Sequence, residues 1–238
     1  MQKTVVHLLN TDHSPLLDIY REVDALPGIK KSFIGSGIRY DMLLHQGGDE
    51  KTNESHRTYL AELVKDHVSG RLKVAPEHTS DDTLRIMRKP SFAFFNQFKQ
   101  VFDDLNKKYS LNQQLIPYFI SSHPGCTEED MAELAAITKK LNFRLEQVQD
   151  FTPSPMTLAT EIYYTGYHPY TLQPVFTARS KEEKNAQRQF FFWYDPQQRQ
   201  AVTKELKRMG RHDLLQKLYA KEPGERKPSA INKPKRRR

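Results

Sequence analysis

Cysteine is nearly absent from this chain: Cys126 is the only one among 238 residues. A single thiol excludes a disulfide within the chain, and it excludes any metal site built only from this chain's cysteines. A chain without disulfides suits a reducing compartment, so we expect a cytoplasmic protein. Long apolar runs are also missing. Because a membrane-spanning helix needs roughly 18–20 apolar residues, no membrane association is expected.

Basic residues are in excess, but the excess lies at the carboxyl end. The whole chain has a net charge of +8. Residues 221–238 contain eight Lys or Arg and two Glu, a charge of +6, which leaves +2 for residues 1–220. The body of the chain is therefore close to neutral, and no basic groove is indicated. The tail can attract nucleic acid such as RNA, or it can be a solvated terminus; its composition allows both.

Short apolar strands alternate with amphipathic helices over the first 150 residues. We expect strands over residues 31–37, 72–75, 115–120 and 144–150. Helical patterns separate them, which predicts an α/β fold with parallel strands and right-handed crossovers. Phenylalanines spaced three and four residues apart predict a helix with a buried face. These residues are Phe92, Phe95, Phe98 and Phe102.

The character of the sequence changes after residue 150. Tyrosine-rich loops and then further helical patterns follow, and the last residues are dominated by Pro, Lys and Arg. Four strands are too few for a closed eight-stranded barrel but suit half of a smaller, open one. We therefore expect a partial TIM-type barrel over residues 10–150, a mostly helical C-terminal extension over 151–221 and a disordered basic tail over 222–238.

Two of the expected strands end in polar loops, Pro76-Glu-His-Thr79 and Ser121-Ser-His-Pro-Gly125. Barrels of alternating strands and helices present their ligand-binding groups at the carboxyl ends of the strands. A turn that contains proline and glycine explains the second loop almost as well. These loops are the first candidates for a functional site.

Four motifs, in order along the chain, resemble signatures of the YgiQ-type radical SAM proteins. They are Asn10-Thr-Asp-His-Ser14, Val74-Ala-Pro-Glu-His-Thr79, Ser121-Ser-His-Pro-Gly-Cys126 and Asp150-Phe-Thr-Pro-Ser-Pro-Met156. The resemblance implies an open radical SAM barrel. It also implies a four-iron four-sulfur cluster held by a CxxxCxxC loop, with S-adenosylmethionine on the fourth iron. More distantly, the layout is similar to the RNA methylthiotransferases.

The chain departs from this family pattern because it contains no CxxxCxxC loop. The departure indicates the C-terminal portion of a radical SAM protein, inactive alone because the cluster ligands are missing. A complementary chain with the N-terminal half of the barrel would make it one subunit of a split enzyme. The remaining alternative is a non-enzymatic RNA-binding module that acts through the basic tail.

The resemblance implies cofactor contacts for residues near the strand ends. Glu77 would contact the ribose or the amino group of S-adenosylmethionine, or it would instead cap the helix that begins near Ser80. Arg88 would pair with a carboxylate or form a structural ion pair. Cys126 would be a reactive thiol or, like most lone cysteines, a small buried side chain. The full set of candidate cofactor-binding residues is Ser36, Arg39, Glu77, His78, Arg88, Ser121 and Ser122; no metal ligand is expected.

Overall fold

Three parallel strands form the sheet of this computed structural model, which describes residues 10–46, 49–145 and 148–220. The strands are β1 (Arg71–Glu77), β2 (Gln114–Ser121) and β3 (Val148–Asp150), in the order β1-β2-β3. Leu72 lies opposite Leu115, and Ser121 lies opposite Asp150. The expected α/β class with parallel strands is confirmed, and the predicted segments 72–75 and 115–120 lie within β1 and β2.

Ten helices occupy the described residues, and most of them join or follow the strands. They are α1 (Ser14–Asp24), α2 (Tyr40–Leu43), α3 (Glu50–Asp66), α4 (Asp81–Ile86), α5 (Phe92–Lys108), α6 (Glu128–Lys140), α7 (Leu158–Thr165), α8 (Lys181–Arg188), α9 (Arg199–Arg208) and α10 (His212–Tyr219). A 3₁₀ turn, Gln189–Phe192, follows α8. The 3₁₀ turn, α8 and α10 all contact α6, so the helices after residue 180 pack against the α/β body.

The strand expected over residues 31–37 is wrong. Only Ile38 pairs with the sheet, through a single parallel bridge to Val74 on the free edge of β1. Two glycines explain the difference, because glycine weakens a strand and often marks a close backbone approach. A Cβ atom on Gly37 would lie 3.3 Å from the Lys73 carbonyl oxygen. The segment therefore touches β1 at one point without forming a ladder.

The hydrophobic core lies between one face of the sheet and the helices. Leu72 and Val74 of β1 belong to the same buried cluster as Phe95 and Phe98 of α5. The predicted stripe is confirmed, since the four phenylalanines at positions 92, 95, 98 and 102 are all buried. Burial of these rings against the strands fixes where the strand ends lie.

The opposite face of the sheet is largely uncovered by the described residues. Lys73 and Ala75 of β1 are exposed, and Ile116, Tyr118 and Ile120 of β2 are only half-buried. Strands alternate their side chains between the two faces, so this pattern marks one face as open. Parallel sheets are usually covered on both faces, and the open face therefore indicates a surface that further structure completes.

Candidate functional site

A cleft of about 770 Å³ opens at the carboxyl ends of all three strands. Ligands in α/β proteins bind at this end of a parallel sheet, which makes the cleft the candidate site. Its lining includes two carboxylates, two cationic side chains, an imidazole and an aromatic ring. These are Glu77, Asp150, Lys89, Arg188, His123 and Phe151.

Glu77 ends β1 in a strained conformation. Its φ is 66°, in the left-handed region, and the His78 N–H donates to the Pro76 carbonyl oxygen at 2.8 Å across it. This backbone conformation costs a non-glycine residue about 1–2 kcal/mol. The carboxylate lies 3.1 Å from Lys89 Nζ, and the glutamate side chain is only 15% exposed. Strain of this kind is concentrated at functional sites, and here it directs a carboxylate into the cleft.

Asp150 joins the ends of β2 and β3. Its Oδ1 accepts a hydrogen bond from Ser121 Oγ at 2.6 Å, and its Oδ2 lies 2.7 Å from Arg188 Nη1. Arg188 comes from α8, in the C-terminal extension. With the pair between Glu77 and Lys89, two ion pairs therefore line one cleft. Such a surface is complementary to a ligand that carries both a positive and a negative charge.

His123 presents one ring nitrogen as a hydrogen-bond acceptor. Its Nδ1 lies 2.9 Å from the Pro124 carbonyl oxygen, which can only accept, so Nδ1 carries the proton of the neutral ring. Burial lowers the pKa of His123 below its ordinary value. The ring meets Phe151 edge-on, with 4.9 Å between centroids. A neutral imidazole with a free Nε2 can accept a proton or a hydrogen bond from a ligand.

Ser122 is fully buried, with a φ of 60°. Its N–H donates to Gln187 Oε1 at 2.7 Å, but its Oγ has no hydrogen-bond partner in the structure. A buried hydroxyl without a partner is costly, by roughly 1–3 kcal/mol. β1 thus ends at a left-handed residue, Glu77, and β2 ends immediately before one, Ser122, at the same end of the sheet.

His78 and Cys126 form a buried pair behind the cleft. The His78 Nδ1 accepts from the Ser80 N–H at 2.9 Å, and its Nε2 lies 3.4 Å from Cys126 Sγ. Burial lowers the pKa of His78 to about 4 and raises the pKa of the Cys126 thiol. A buried thiol with a raised pKa is inert, so the structural alternative for Cys126 holds. The pair ties the loop after β1 to the loop after β2.

A family model described as a domain of unknown function, DUF3362, matches residues 146–219. The chain is 68% identical over 213 residues to a UPF0313 protein of Bacteroides thetaiotaomicron, covering 90% of this chain and 34% of the relative. A UPF0313 protein of Methanocella arvoryzae is 42% identical over 231 residues, covering 92% and 37%. The chain belongs to the UPF0313 family.

UPF0313 is the YgiQ family, so the resemblance seen in the sequence motifs is confirmed. A UPF0313 protein of Porphyromonas gingivalis is a further relative, 62% identical over 211 residues, covering 89% of this chain and 33% of its own length. The UPF0313 chain thus spans about a third of the length of the relatives it matches. The chain matches one region of these longer relatives.

The structure brings some of the predicted site residues of this UPF0313 chain together at the strand ends. Glu77 lines the cleft, and Ser121 donates a hydrogen bond to Asp150, which also lines it. His78 and Ser122 are buried, and each is adjacent in the sequence to a residue that lines the cleft. Their contacts with a cofactor stay a prediction.

Arg88 lies outside the cleft, and its neighbour Lys89 takes the place expected for it. Arg88 has a φ of 56° and its guanidinium stacks over the Tyr170 ring, 5.5 Å from the centroid. After this left-handed residue the Lys89 N–H donates back to the Leu84 carbonyl oxygen at 2.9 Å, and the Lys89 side chain pairs with Glu77. The sequence alone does not show which of the two adjacent cationic residues, Arg88 or Lys89, pairs with Glu77.

Ser36 and Arg39 lie on the segment beside β1. Ser36 is exposed in a bend. Arg39 forms a bidentate ion pair with Asp41, at 2.8 and 2.6 Å. The side chain of Asp41 is buried, whereas that of Arg39 is 60% exposed. This geometry matches a structural ion pair that fixes the start of α2.

The candidate residues chosen from the sequence did not include five groups that line the cleft, or Gln187, which is buried beside it. The five are Lys89, His123, Asp150, Phe151 and Arg188. Asp150 carried a detectable signal, because it is the last residue of the strand predicted over 144–150 and lies at the same sheet end as Glu77. Gln187 and Arg188 lie on a helix with no motif, and only the fold brings them to the cleft.

No group of three or more His, Cys, Asp or Glu side chains in the described ranges is arranged to hold a metal ion. The single thiol is buried against His78. The described residues therefore do not fit an iron–sulfur cluster. No described helix has the length and apolarity needed to cross a membrane.

Proposed function

We propose that this chain forms the later half of an open radical SAM barrel and supplies one wall of its S-adenosylmethionine site. The polypeptide that accounts for the rest of the relatives' length, linked or separate, would supply the cluster-binding cysteines and the earlier strands. The observation that carries the proposal is a parallel sheet with one open face and a cleft with two ion pairs at its carboxyl end.

The free edge of the sheet supports an incomplete barrel. Ile38 bridges β1 at that edge, and α1 precedes this bridge in the chain. Leu17 of α1 is buried, whereas Leu16 and Ile19 are 43% and 55% exposed. In a βα barrel, a preceding strand–helix unit would pack beside α1. Apolar side chains exposed at this position fit such a neighbour.

The cleft residues fit the parts of S-adenosylmethionine. Glu77 and Asp150 can accept hydrogen bonds from an ammonium group or from ribose hydroxyls, and Lys89 and Arg188 can bind a carboxylate. Phe151 offers a ring for stacking against adenine. A reduced iron–sulfur cluster, held by the polypeptide proposed to complete the barrel, would give one electron to S-adenosylmethionine and break its S–C5′ bond, which would yield methionine and a 5′-deoxyadenosyl radical. Because its residues do not fit a cluster, this chain is proposed to be inactive alone.

RNA binding by the tail stays an alternative prediction, because residues 221–238 lie outside the part that the structure describes. A salt titration of RNA binding, with and without residues 222–238, tests it. Equal binding by both proteins would rule the tail out.

S-adenosylmethionine is expected to bind this chain saturably in calorimetric titrations. Glu77→Gln keeps the size of the side chain but removes its charge, and it should weaken binding by about tenfold because a charged hydrogen bond is lost. Asp82→Asn is the matched control, since Asp82 is exposed and pairs only with Arg85 on the surface of α4. Equal affinity of the wild-type protein and Glu77→Gln would contradict the assignment of the cleft.

A further inference from the structure

The C-terminal extension reaches the cleft through Gln187 and Arg188, at the end of α8. Gln187 is fully buried. Its Oε1 accepts a hydrogen bond from the Ser122 N–H at 2.7 Å, and its Nε2 donates to the Cys126 carbonyl oxygen at 2.7 Å. One side chain therefore pairs with the backbone at both ends of the loop that carries His123.

This loop needs partners from outside the sheet. It lies beyond the end of β2, where no strand ladder remains to pair its backbone groups. Ser122 and Gly125 are both left-handed, with φ values of 60° and 85°. The Gly125 N–H donates to the Phe176 carbonyl oxygen at 2.8 Å, which is a second tie from the C-terminal extension. The conformation of the loop thus depends on residues that follow it by about fifty or more positions.

Arg188, the next residue after Gln187, makes a third contact between the C-terminal extension and the strand ends. It pairs with Asp150 Oδ2 at 2.7 Å, while Ser121 Oγ donates to Asp150 Oδ1 at 2.6 Å. Two consecutive residues of α8 therefore fix the ends of both β2 and β3. A helix that served only as a cover over the core would not need paired polar contacts at the strand ends.

We propose that the C-terminal extension, whose residues 151–219 lie within the DUF3362 match, is a clamp for the loop after β2, and that Gln187 is its positioning residue. Gln187 holds residues 122–126 in the conformation that turns His123 toward the cleft. The clamp gives a role to a region whose family description states none. The role of the clamp in ligand binding rests on the proposed function. The hydrogen bonds that form the clamp do not depend on it.

The test compares Gln187→Met with Gln189→Met in the full chain. Methionine has nearly the same size as glutamine and cannot make the two hydrogen bonds. Gln189 is the matched control, because its amide donates only locally, to the Ala186 carbonyl oxygen. Amide hydrogen exchange at Ser122 should be at least about tenfold faster in Gln187→Met and unchanged in Gln189→Met. NMR titration should show the pKa of His123 moving up toward the ordinary histidine value only in Gln187→Met.

Unchanged exchange at Ser122 and an unchanged His123 titration in folded Gln187→Met would overturn the clamp. If that variant does not fold, Gln187→Glu provides the test, since it keeps an acceptor for Ser122 but loses the donor to Cys126. Release of the Cys126 carbonyl oxygen should loosen that end of the loop. Exchange should then rise more at the Cys126 N–H, which donates within the loop to the His123 carbonyl oxygen, than at the Ser122 N–H, and equal changes at both sites would overturn the proposal. S-adenosylmethionine titrations separate the two claims. If the wild-type protein fails to bind, the proposed function is wrong, while the exchange data still decide the clamp.

Discussion

Replacement of Phe98 by alanine is expected to lower the free energy of unfolding by about 3–5 kcal/mol, the range for a fully buried phenylalanine. The Phe98 side chain has no exposed surface. Its ring stacks on Tyr40 with 5.4 Å between centroids and also packs against Phe102 at 6.2 Å. The cavity would open between α5 and α2, where the two helices meet. Chemical denaturation monitored by circular dichroism measures the loss.

Phe94→Ala on the same helix is the matched control. Phe94 is 36% exposed. The same deletion should therefore cost less than about 1.5 kcal/mol, because partly exposed sites lose less transfer energy and leave no closed cavity. Equal losses in the two variants would contradict the assignment of the α5 stripe to the core.

Acidification is expected to destabilise the chain through His78. Burial holds its pKa at about 4, against an ordinary value of 6.5. Above pH 6.5 the ring is neutral in both the folded and the unfolded states. As the pH falls from 6.5 to 4, the unfolded chain takes up a proton that the folded chain does not. The folded state should therefore lose about 3 kcal/mol of stability across this window.

His78→Gln removes the titrating group and should flatten the dependence of unfolding free energy on pH between 6.5 and 4. His212→Gln is the control, because His212 is exposed on α10 and its loss should leave the dependence in place. Burial also lowers the pKa values of His13 and His123, which predicts contributions of the same sign, so a residual slope is expected. An unaltered slope in His78→Gln would contradict the burial of a neutral imidazole.

The sequence predicted correctly those helices and strands that depend only on neighbouring residues or on a regular apolar pattern. The Phe92–Phe102 spacing specifies a helix with one buried face, and the apolar run over residues 115–120 specifies a strand. Thr127 and Asp130 form a capping box at the start of α6, in which each side chain is bonded to the backbone of the other residue, three positions away. In each case the structure is determined by contacts between residues a few positions apart or by the burial of apolar side chains.

Contacts between distant residues could not be predicted in this way. The pair between Asp150 and Arg188 joins residues 38 positions apart, and Gln187 reaches back 65 positions to Ser122. The left-handed turn at Arg88, which places Lys89 in the cleft, involves a residue type that does not favour that conformation. The predicted strand over 31–37 failed because the apolar pair Phe33 and Ile34 did not outweigh the two glycines that follow it.

Hydrogen–deuterium exchange with and without S-adenosylmethionine is the measurement that tests the central claim most directly. The claim is that the ligand binds at the carboxyl ends of the strands. We predict slower exchange in peptides that cover residues 77–80, 121–126 and 148–152, and no change in α9 and α10. No protection at the three strand ends, or protection confined to other parts of the chain, would contradict the account.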